Sequence, residues 1–295
     1  MKKLVIDEAF LSELEALQTV LKNNVAGMFG GNRQSKNFGS SCEFADYRDY
    51  IPGDDITKID WNAYARFDKL YQKLYFDERQ MHTRIYIDAS RSMAHGDEAE
   101  KAEQAIKIAA AFAYLSVCEM DKVSIYVMQG GELNEIVHSM AGKDAYLNCI
   151  NALNEIEFDG DAKISEAIVP STVGRGDGLS VIISDFLTDE DFERAIDRLC
   201  EQKRDVLCVQ VLSREEINPQ VRGKMHLFDS ETPSRFFRKK INQDVIRAYK
   251  DAFKFVVDRI KNYCESRGAH YLFTPAYTPI SDIFFGNLVD LEVMK

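Results

Sequence analysis

Two stretches of this chain are almost continuously apolar: Ser180-Val181-Ile182-Ile183 and Val206-Leu207-Cys208-Val209-Gln210-Val211-Leu212. A strand with one face in water alternates apolar and polar residues, whereas a strand without alternation is covered on both faces. Two covered faces require helices on each side of a largely parallel sheet. The chain from residue 83 onward alternates in the required way. Strands are expected at 83–88, 122–128, 179–185, 205–212 and 270–274, with a weaker one at 224–228. Helices are expected at 97–119, 143–155, 163–169, 189–202, 242–265 and 281–290. The expected class is α/β, a doubly wound, largely parallel sheet with helices on both faces, preceded by an N-terminal helix and an aromatic-rich β subdomain.

The patterns within the helices support this layering. The helix over 97–119 carries Ala102, Ala105, Ile106, Ala109, Ala110, Phe112, Ala113 and Val117, a broad apolar surface that predicts deep burial. In the helix from 242, Ile246, Tyr249, Phe253, Val257 and Ile260 form one stripe, with Asn242 as N-cap. Near the start, Phe10, Leu11, Leu14, Leu17 and Leu21 recur at helical spacing behind a capping Asp7, and this helix ends near Asn23-Asn24. Gly27, Gly30, Gly31 and Gly39 then mark loop; they follow no strand and lack G-x-G-x-x-G spacing, so no phosphate cradle is read there.

Residues 42–80 interleave Phe44, Tyr47, Tyr50, Trp61, Tyr64, Phe67, Tyr71, Tyr75 and Phe76 with Asp46, Arg48, Asp49, Asp54, Asp55, Asp60, Arg66, Glu78 and Arg79, around a Pro52-Gly53-Asp54-Asp55 turn. Buried charges in such a segment have to be paired or hydrogen-bonded. Asp54, Asp55, Asp60, Arg48 and Arg66 are expected to form a structural network joining this subdomain to the sheet. The expected domains are 1–80, the N-terminal helix with the aromatic subdomain, and 81–295, the α/β domain.

Charge and composition exclude several functions. The net charge of −11 argues against nucleic acid or an anionic membrane as main partner, because phosphate binding needs a clustered positive surface. The nearest approach to one, Arg235, Arg238, Lys239 and Lys240, reads as a solvated helix start or loop. Met-Lys-Lys followed by Asp7, Glu8, Glu13 and Glu15 is no signal peptide. The longest uncharged apolar run, 108–118, is too short to span a bilayer, so no membrane insertion is expected. Cys42, Cys118, Cys149, Cys200, Cys208 and Cys264 are scattered without C-x-x-C spacing, which points to a reducing cytoplasm.

The chemistry concentrates where strands end. Asp88-Ala89-Ser90-Arg91-Ser92 follows the first sheet strand, and Ser184-Asp185 ends another. Open α/β sheets place ligand sites at such carboxyl ends, and a doubly wound order brings these two ends together. Two carboxylates and two hydroxyls suit a hard cation, Mg2+ or Mn2+, held by oxygen directly or through water. The plain alternative is that Asp88 and Asp185 cap helices. A haloacid-dehalogenase phosphatase would need a second Asp at position 90, where this chain has Ser90. G-x-S-x-G and G-x-x-x-x-G-K-[ST] are absent, and His82, His95, His138, His226 and His270 show no zinc spacing. Arg175-Gly176-Asp177 reads as a turn before the next strand, not as an adhesion tripeptide.

The D-x-S-x-S turn, the alanine-rich helix and Asp185 resemble a von Willebrand factor type A domain, whose metal-ion-dependent adhesion site uses such positions. The upstream segment is more specific. Glu43-Phe44, Tyr47-Arg48-Asp49-Tyr50-Ile51-Pro52-Gly53-Asp54-Asp55, Ile59-Asp60-Trp61-Asn62-Ala63-Tyr64-Ala65-Arg66, Leu70-Tyr71-Gln72-Lys73 and Glu78-Arg79 resemble the signature of the bacterial domain of unknown function 58. That resemblance implies a von Willebrand A-like domain encoded beside MoxR-type AAA+ ATPases and working with them in chaperone-like maturation or complex assembly. It implies a metal face of Asp88, Ser90, Ser92 and Asp185. The adhesion site also uses a second-loop Thr, and alignment of 158–168 puts Ala162 there. Two substitutes stay open: Asp161, through a shifted loop, or Lys163 as a resident cation that makes a metal unnecessary.

The expected function is a non-enzymatic interaction module, a cytoplasmic adaptor between a MoxR-type ATPase and a client protein, with no organic cofactor. Its rival is a metal-assisted hydrolase at the same carboxylates, which would need a general base or nucleophile near the metal.

Overall fold

In the computed structural model the two apolar runs become neighbouring parallel strands in the middle of a six-stranded sheet. The structure describes residues 5–24, 44–75, 81–94, 100–169, 178–187, 191–220, 223–228 and 236–288. Gly27, Gly30, Gly31, Gly39, Cys42, Glu43, Phe76, Glu78, Arg79, His95, the 175–177 tripeptide and Arg235 lie outside the described residues.

The chain divides into two units, one of Met1–Asn24 and Met81–Met294, the other of Val25–Gln80. The first unit opens with α1 (Glu8–Asn24), which the sequence reading groups with the 1–80 segment. Asp7 Oδ1 caps it by accepting the Phe10 N–H at 2.9 Å. Phe10, Leu14 and Leu17 are buried, and the helix packs against the alanine-rich helix of the sheet unit. Asn154 Oδ1 accepts the Val5 and Ile6 N–H groups, each at 3.0 Å, and fixes the entry of the chain.

In the second unit β1 (Phe44–Asp49) pairs antiparallel with β2 (Tyr71–Tyr75), and α2 (Trp61–Phe67) lies between them in sequence. Asp60 organises this unit. Its Oδ1 caps α2 through the Asn62 and Ala63 N–H groups, and its Oδ2 accepts the Tyr47 hydroxyl at 2.7 Å. The Tyr47 bond, followed by the Ala63 N–H, holds the Asp60 carboxyl down to about 2. Arg48 donates to Asp54 and Gln72, and Asp55 caps the 3-10 turn Ile56–Lys58 through Thr57. The signature residues Arg48, Asp54, Asp55 and Asp60 thus bond to partners within 44–75 and build this unit from inside.

The sheet unit continues with β3 (His82–Asp88), α3 (Glu100–Cys118), β4 (Lys122–Gln129), β5 (Glu132–Met140), α4 (Lys143–Asn154), α5 (Ile164–Ala167), β6 (Leu179–Ser184), α6 (Glu193–Glu201) and β7 (Asp205–Leu212). It ends with α7 (Arg214–Ile217), the hairpin β8 (Gly223–Phe228) and β9 (Phe236–Ile241), α8 (Gln243–Ser266), β10 (His270–Pro275) and the turn α9 (Ile280–Asp282), which runs into a π-helical segment, Ile283–Leu288. The sheet order is β10-β7-β6-β3-β4-β5, parallel except for β5. Counting these six strands along the chain, the order is third, second, first, fourth, fifth, sixth, which is the doubly wound order. β5 was not expected from sequence. It returns from β4 through Gly130 and Gly131, both at positive φ, as a tight hairpin.

Strand alternation divides the core between two layers. Tyr86, Ile182, Val206 and Cys208 form one cluster with Ile164, Ile196, Leu199, Ile260 and Cys264 from α5, α6 and α8. Ile85, Ile87, Val181, Ile183, Leu207 and Val209 are equally buried and point the other way, toward α3. The stripe expected on α8 is buried only at its C-terminal end, at Ile260 and Cys264; Tyr249 stays 37% exposed. Arg238, Lys239 and Lys240, expected in a helix start or loop, lie on strand β9. Cys118, Cys149, Cys200, Cys208 and Cys264 are free thiols.

Candidate functional site

β3 and β6 are adjacent and parallel, so Asp88 and Ser184 end side by side at the carboxyl edge of the sheet. Asp88 Oδ1 accepts the Ser90 N–H at 2.8 Å, and Asp88 Oδ2 accepts the Ser184 hydroxyl at 2.5 Å. Ser184 Oγ in turn accepts the Phe186 N–H at 2.9 Å. The Ser90 and Ser92 hydroxyls bond to each other at 2.9 Å. Asp88, Ser90, Ser184 and Asp185 are all buried. Burial, and then the neighbouring Asp185 charge, push the Asp88 carboxyl up to about 6, against the opposite pull of the Ser184 and Ser90 bonds.

Asp185 is held from three sides. Its Oδ1 accepts the Leu187 N–H at 3.1 Å, and its backbone carbonyl accepts Gln210 Nε2 at 2.7 Å. Its Oδ2 accepts Lys101 Nζ at 2.9 Å. Lys101 sits in the first turn of α3 with its side chain 1% exposed, and donates also to Glu216 Oε1 at 2.6 Å. Burial opposes the ammonium charge, and Asp185 and Glu216 outweigh it, holding Lys101 above its ordinary value. Glu216 is itself fixed: its Oε2 accepts Ser213 N–H and Oγ–H while Ser213 caps α7, and its carbonyl accepts the Tyr249 hydroxyl.

The second loop lies beside the 88–92 turn by backbone pairing. Asp159 N–H donates to Ala89 O, Arg91 N–H to Gly160 O, and Gly130 N–H to Asp161 O. Above these bonds the Arg91 guanidinium pairs with the Asp159 carboxylate. The Asp161 carboxylate, expected among the cation ligands, forms no hydrogen bond or ion pair with Asp88, Ser90, Ser92 or Asp185. Ala162 is buried in the core and supplies no oxygen. Lys163 pairs with Glu166 at 3.5 Å, and the ammonium that meets Asp185 is that of Lys101.

The structure therefore brings together Asp88, Ser90, Ser92 and Asp185, and leaves Asp161 apart. Sequence reasoning missed Lys101, Ser184 as a ligand of Asp88, and Glu216. A signal for Lys101 existed: it shares a helix face with Ala105, Ile108 and Phe112, all buried. Among the described residues, no group of three or more His, Cys, Asp or Glu is arranged to hold a metal ion. The donor set does not fit a divalent cation of the adhesion type. Lys101 already neutralises Asp185 at Oδ2, the Ser90 and Ser92 hydroxyls bond to each other, and the second loop offers Ala162 in place of an oxygen.

A family model described as "Protein of unknown function DUF58" matches residues 46–255. Uncharacterised proteins of Mycobacterium tuberculosis and Mycobacterium bovis are each 23% identical over 230 residues, covering 77% of this chain and 72% of theirs. Among solved structures, the SpRpn10 VWA domain aligns with a TM-score of 0.38 at 12% identity, over 72% of this chain and 95% of that domain. An uncharacterised membrane-spanning protein from Vibrio fischeri aligns with a TM-score of 0.25 at 11% identity, over 72% of this chain and 97% of that one.

Proposed function

This chain belongs to the family described as protein of unknown function DUF58, and on that premise we propose that it is a non-enzymatic interaction module. Its partner in this reading is a MoxR-type AAA+ ATPase, which it connects to a client protein during complex assembly or maturation. The observation that carries the proposal is the burial of the polar groups at the sheet edge. Asp88, Ser90, Ser184 and Asp185 are each no more than 3% exposed and are bonded to one another or to backbone. Burial at this depth supports an interaction role over catalysis, because a general base needs access to the proton it removes. What remains at the surface is the Arg91–Asp159 pair and Gly160, on loops tied by the Asp159–Ala89 and Arg91–Gly160 backbone bonds, and Leu187, whose N–H is held by Asp185. Rigid loops on a fixed scaffold suit recognition, because little conformational entropy is lost on binding.

The acidic net charge supports a partner with a basic face, since complementary charge speeds encounter. Free thiols at the described cysteines accord with the cytoplasm as the place of action. No helix of the described residues is long and apolar enough to cross a membrane. The test is co-expression with the MoxR-type ATPase of the same organism, followed by size-exclusion chromatography with ATP, ADP and no nucleotide. Co-elution in at least one state is expected, and separate elution in all three sinks the adaptor reading. Phosphate-ester turnover by the purified chain that disappears in Asp88→Ala would instead favour hydrolysis.

A further inference from the structure

We infer that Lys101 is the built-in counter-ion of the strand-end site, so that the edge is assembled without a divalent metal. In an adhesion-type site a metal neutralises the carboxylates contributed by the loops after neighbouring strands. Here an ammonium delivered by the first turn of α3 stands against one of them. Lys101 Nζ lies 2.9 Å from Asp185 Oδ2 and 2.6 Å from Glu216 Oε1, with its side chain 1% exposed. A lysine so deeply buried is retained only where its charge is matched and its protons are accepted. Both acceptors are themselves fixed, Asp185 by Leu187 N–H and Gln210, Glu216 by Ser213 and the cap of α7. Gln210 passes the constraint on to β10, because its Oε1 accepts the Tyr271 hydroxyl at 2.6 Å. One ammonium thus ties the loop after β6 to the helix after β7 and to α3.

A hydrated divalent ion is labile and exchanges with solution; a lysine is not. The edge accordingly presents one permanent conformation, and recognition by it is indifferent to magnesium or manganese. Lys101 is a positioning residue: it reaches no partner directly and acts through Asp185 and Glu216. The inference deepens the proposed interaction role of this edge and rests on it only for the consequence to partners.

The test is thermal denaturation of the full chain after EDTA stripping, measured in EDTA, 5 mM MgCl2 and 5 mM MnCl2. For the wild type, Tm is expected to agree within about 1 °C across the three, whereas an ion bound at a hundred times its Kd would raise it by roughly 5–10 °C. Lys101→Met keeps volume and strands a buried carboxylate, lowering Tm on the order of 10 °C. The double variant Lys101→Met/Asp185→Asn removes both charges and is expected to regain at least half of that loss, which a purely space-filling lysine would not produce. Metal-raised stability of the wild type, or a double variant no more stable than Lys101→Met, overturns the inference. If Lys101→Met does not fold, recovery of folded double variant supports the counter-ion role and its failure to fold overturns it. No partner is present in this measurement. Failure to find ATPase binding therefore leaves the inference standing, and a metal-dependent wild type would overturn it while leaving the adaptor reading intact.

Discussion

The Ser184 hydroxyl donates to Asp88 Oδ2 at 2.5 Å, and this bond joins the carboxyl ends of the two adjacent parallel strands β3 and β6. Both groups are buried, so removing one strands the other. Asp88→Ala leaves the Ser184 hydroxyl and the Ser90 N–H without their acceptor, a loss of about 2–4 kcal/mol. Asp88→Asn keeps an acceptor for Ser90 and a group that bonds Ser184, so it is expected to cost about 1 kcal/mol or less. Urea denaturation of both variants checks this. Equal losses would mean that the two bonds do not hold the turn.

Gly178 approaches β3 where no side chain fits. Its φ is +142°, and a Cβ there would lie 2.4 Å from the His82 carbonyl oxygen. That obstacle is backbone and cannot rotate away. Its own carbonyl accepts the Asp205 N–H at the start of β7. Gly178→Ala is expected to lose about 3 kcal/mol or more by separating β3 from the entry to β6. A loss below about 0.5 kcal/mol, within the range of ordinary surface changes, would refute this account of the position.

His82 gives the fold a defined response to acid. Its Nε2 lies 3.0 Å from Ser124 Oγ. Burial first, then Arg84, Arg204 and Lys122, hold the ring down to about 4, with Glu135 pulling weakly the other way. The folded pKa is below the ordinary value, so between about pH 6.5 and 4 the unfolded chain takes up a proton that the folded chain refuses. The contribution is intact above pH 6.5 and is lost as pH falls through that window. Because the ring is only half-buried, solvent screening limits the loss to about 1 kcal/mol. His82→Gln should therefore lose less stability than the wild type between pH 8 and pH 4.5, and an unchanged difference would contradict this.

Much of this molecule was legible in its chemistry. β6 and β7 announced themselves because both of their faces are covered and every position from Val206 to Leu212 is buried. The meeting of Asp88 with the Asp185 loop followed from the sheet order alone. β5 escaped because it is an edge strand with Glu132, Asn134, Glu135 and Ser139 along it, mostly facing solvent, so hydrophobic periodicity had little to report. The α8 stripe was read correctly as a face but not as half-covered, since periodicity records what a helix offers and not what packs against it. Lys101 was hidden for a related reason. Charge in a first helix turn ordinarily marks solvent, and only contact with residues far along the chain, Asp185 and Glu216, reveals a buried ion pair.

Recognition of a partner protein by the rim of this site predicts a measurable dependence of binding affinity on the exposed side chains there. The Arg91–Asp159 pair is exposed, with side chains 41% and 65% accessible, so breaking it is expected to leave stability nearly unchanged. Leu187, in the loop after β6, is 41% exposed. The measurement is the equilibrium Kd of the full chain for the MoxR-type ATPase in its tightest-binding nucleotide state, wild type against Arg91→Glu/Leu187→Asp. We expect the double variant to keep the wild-type Tm within a few degrees and to bind at least about tenfold more weakly, the equivalent of about 1.4 kcal/mol. Wild-type affinity in a correctly folded double variant would contradict the account.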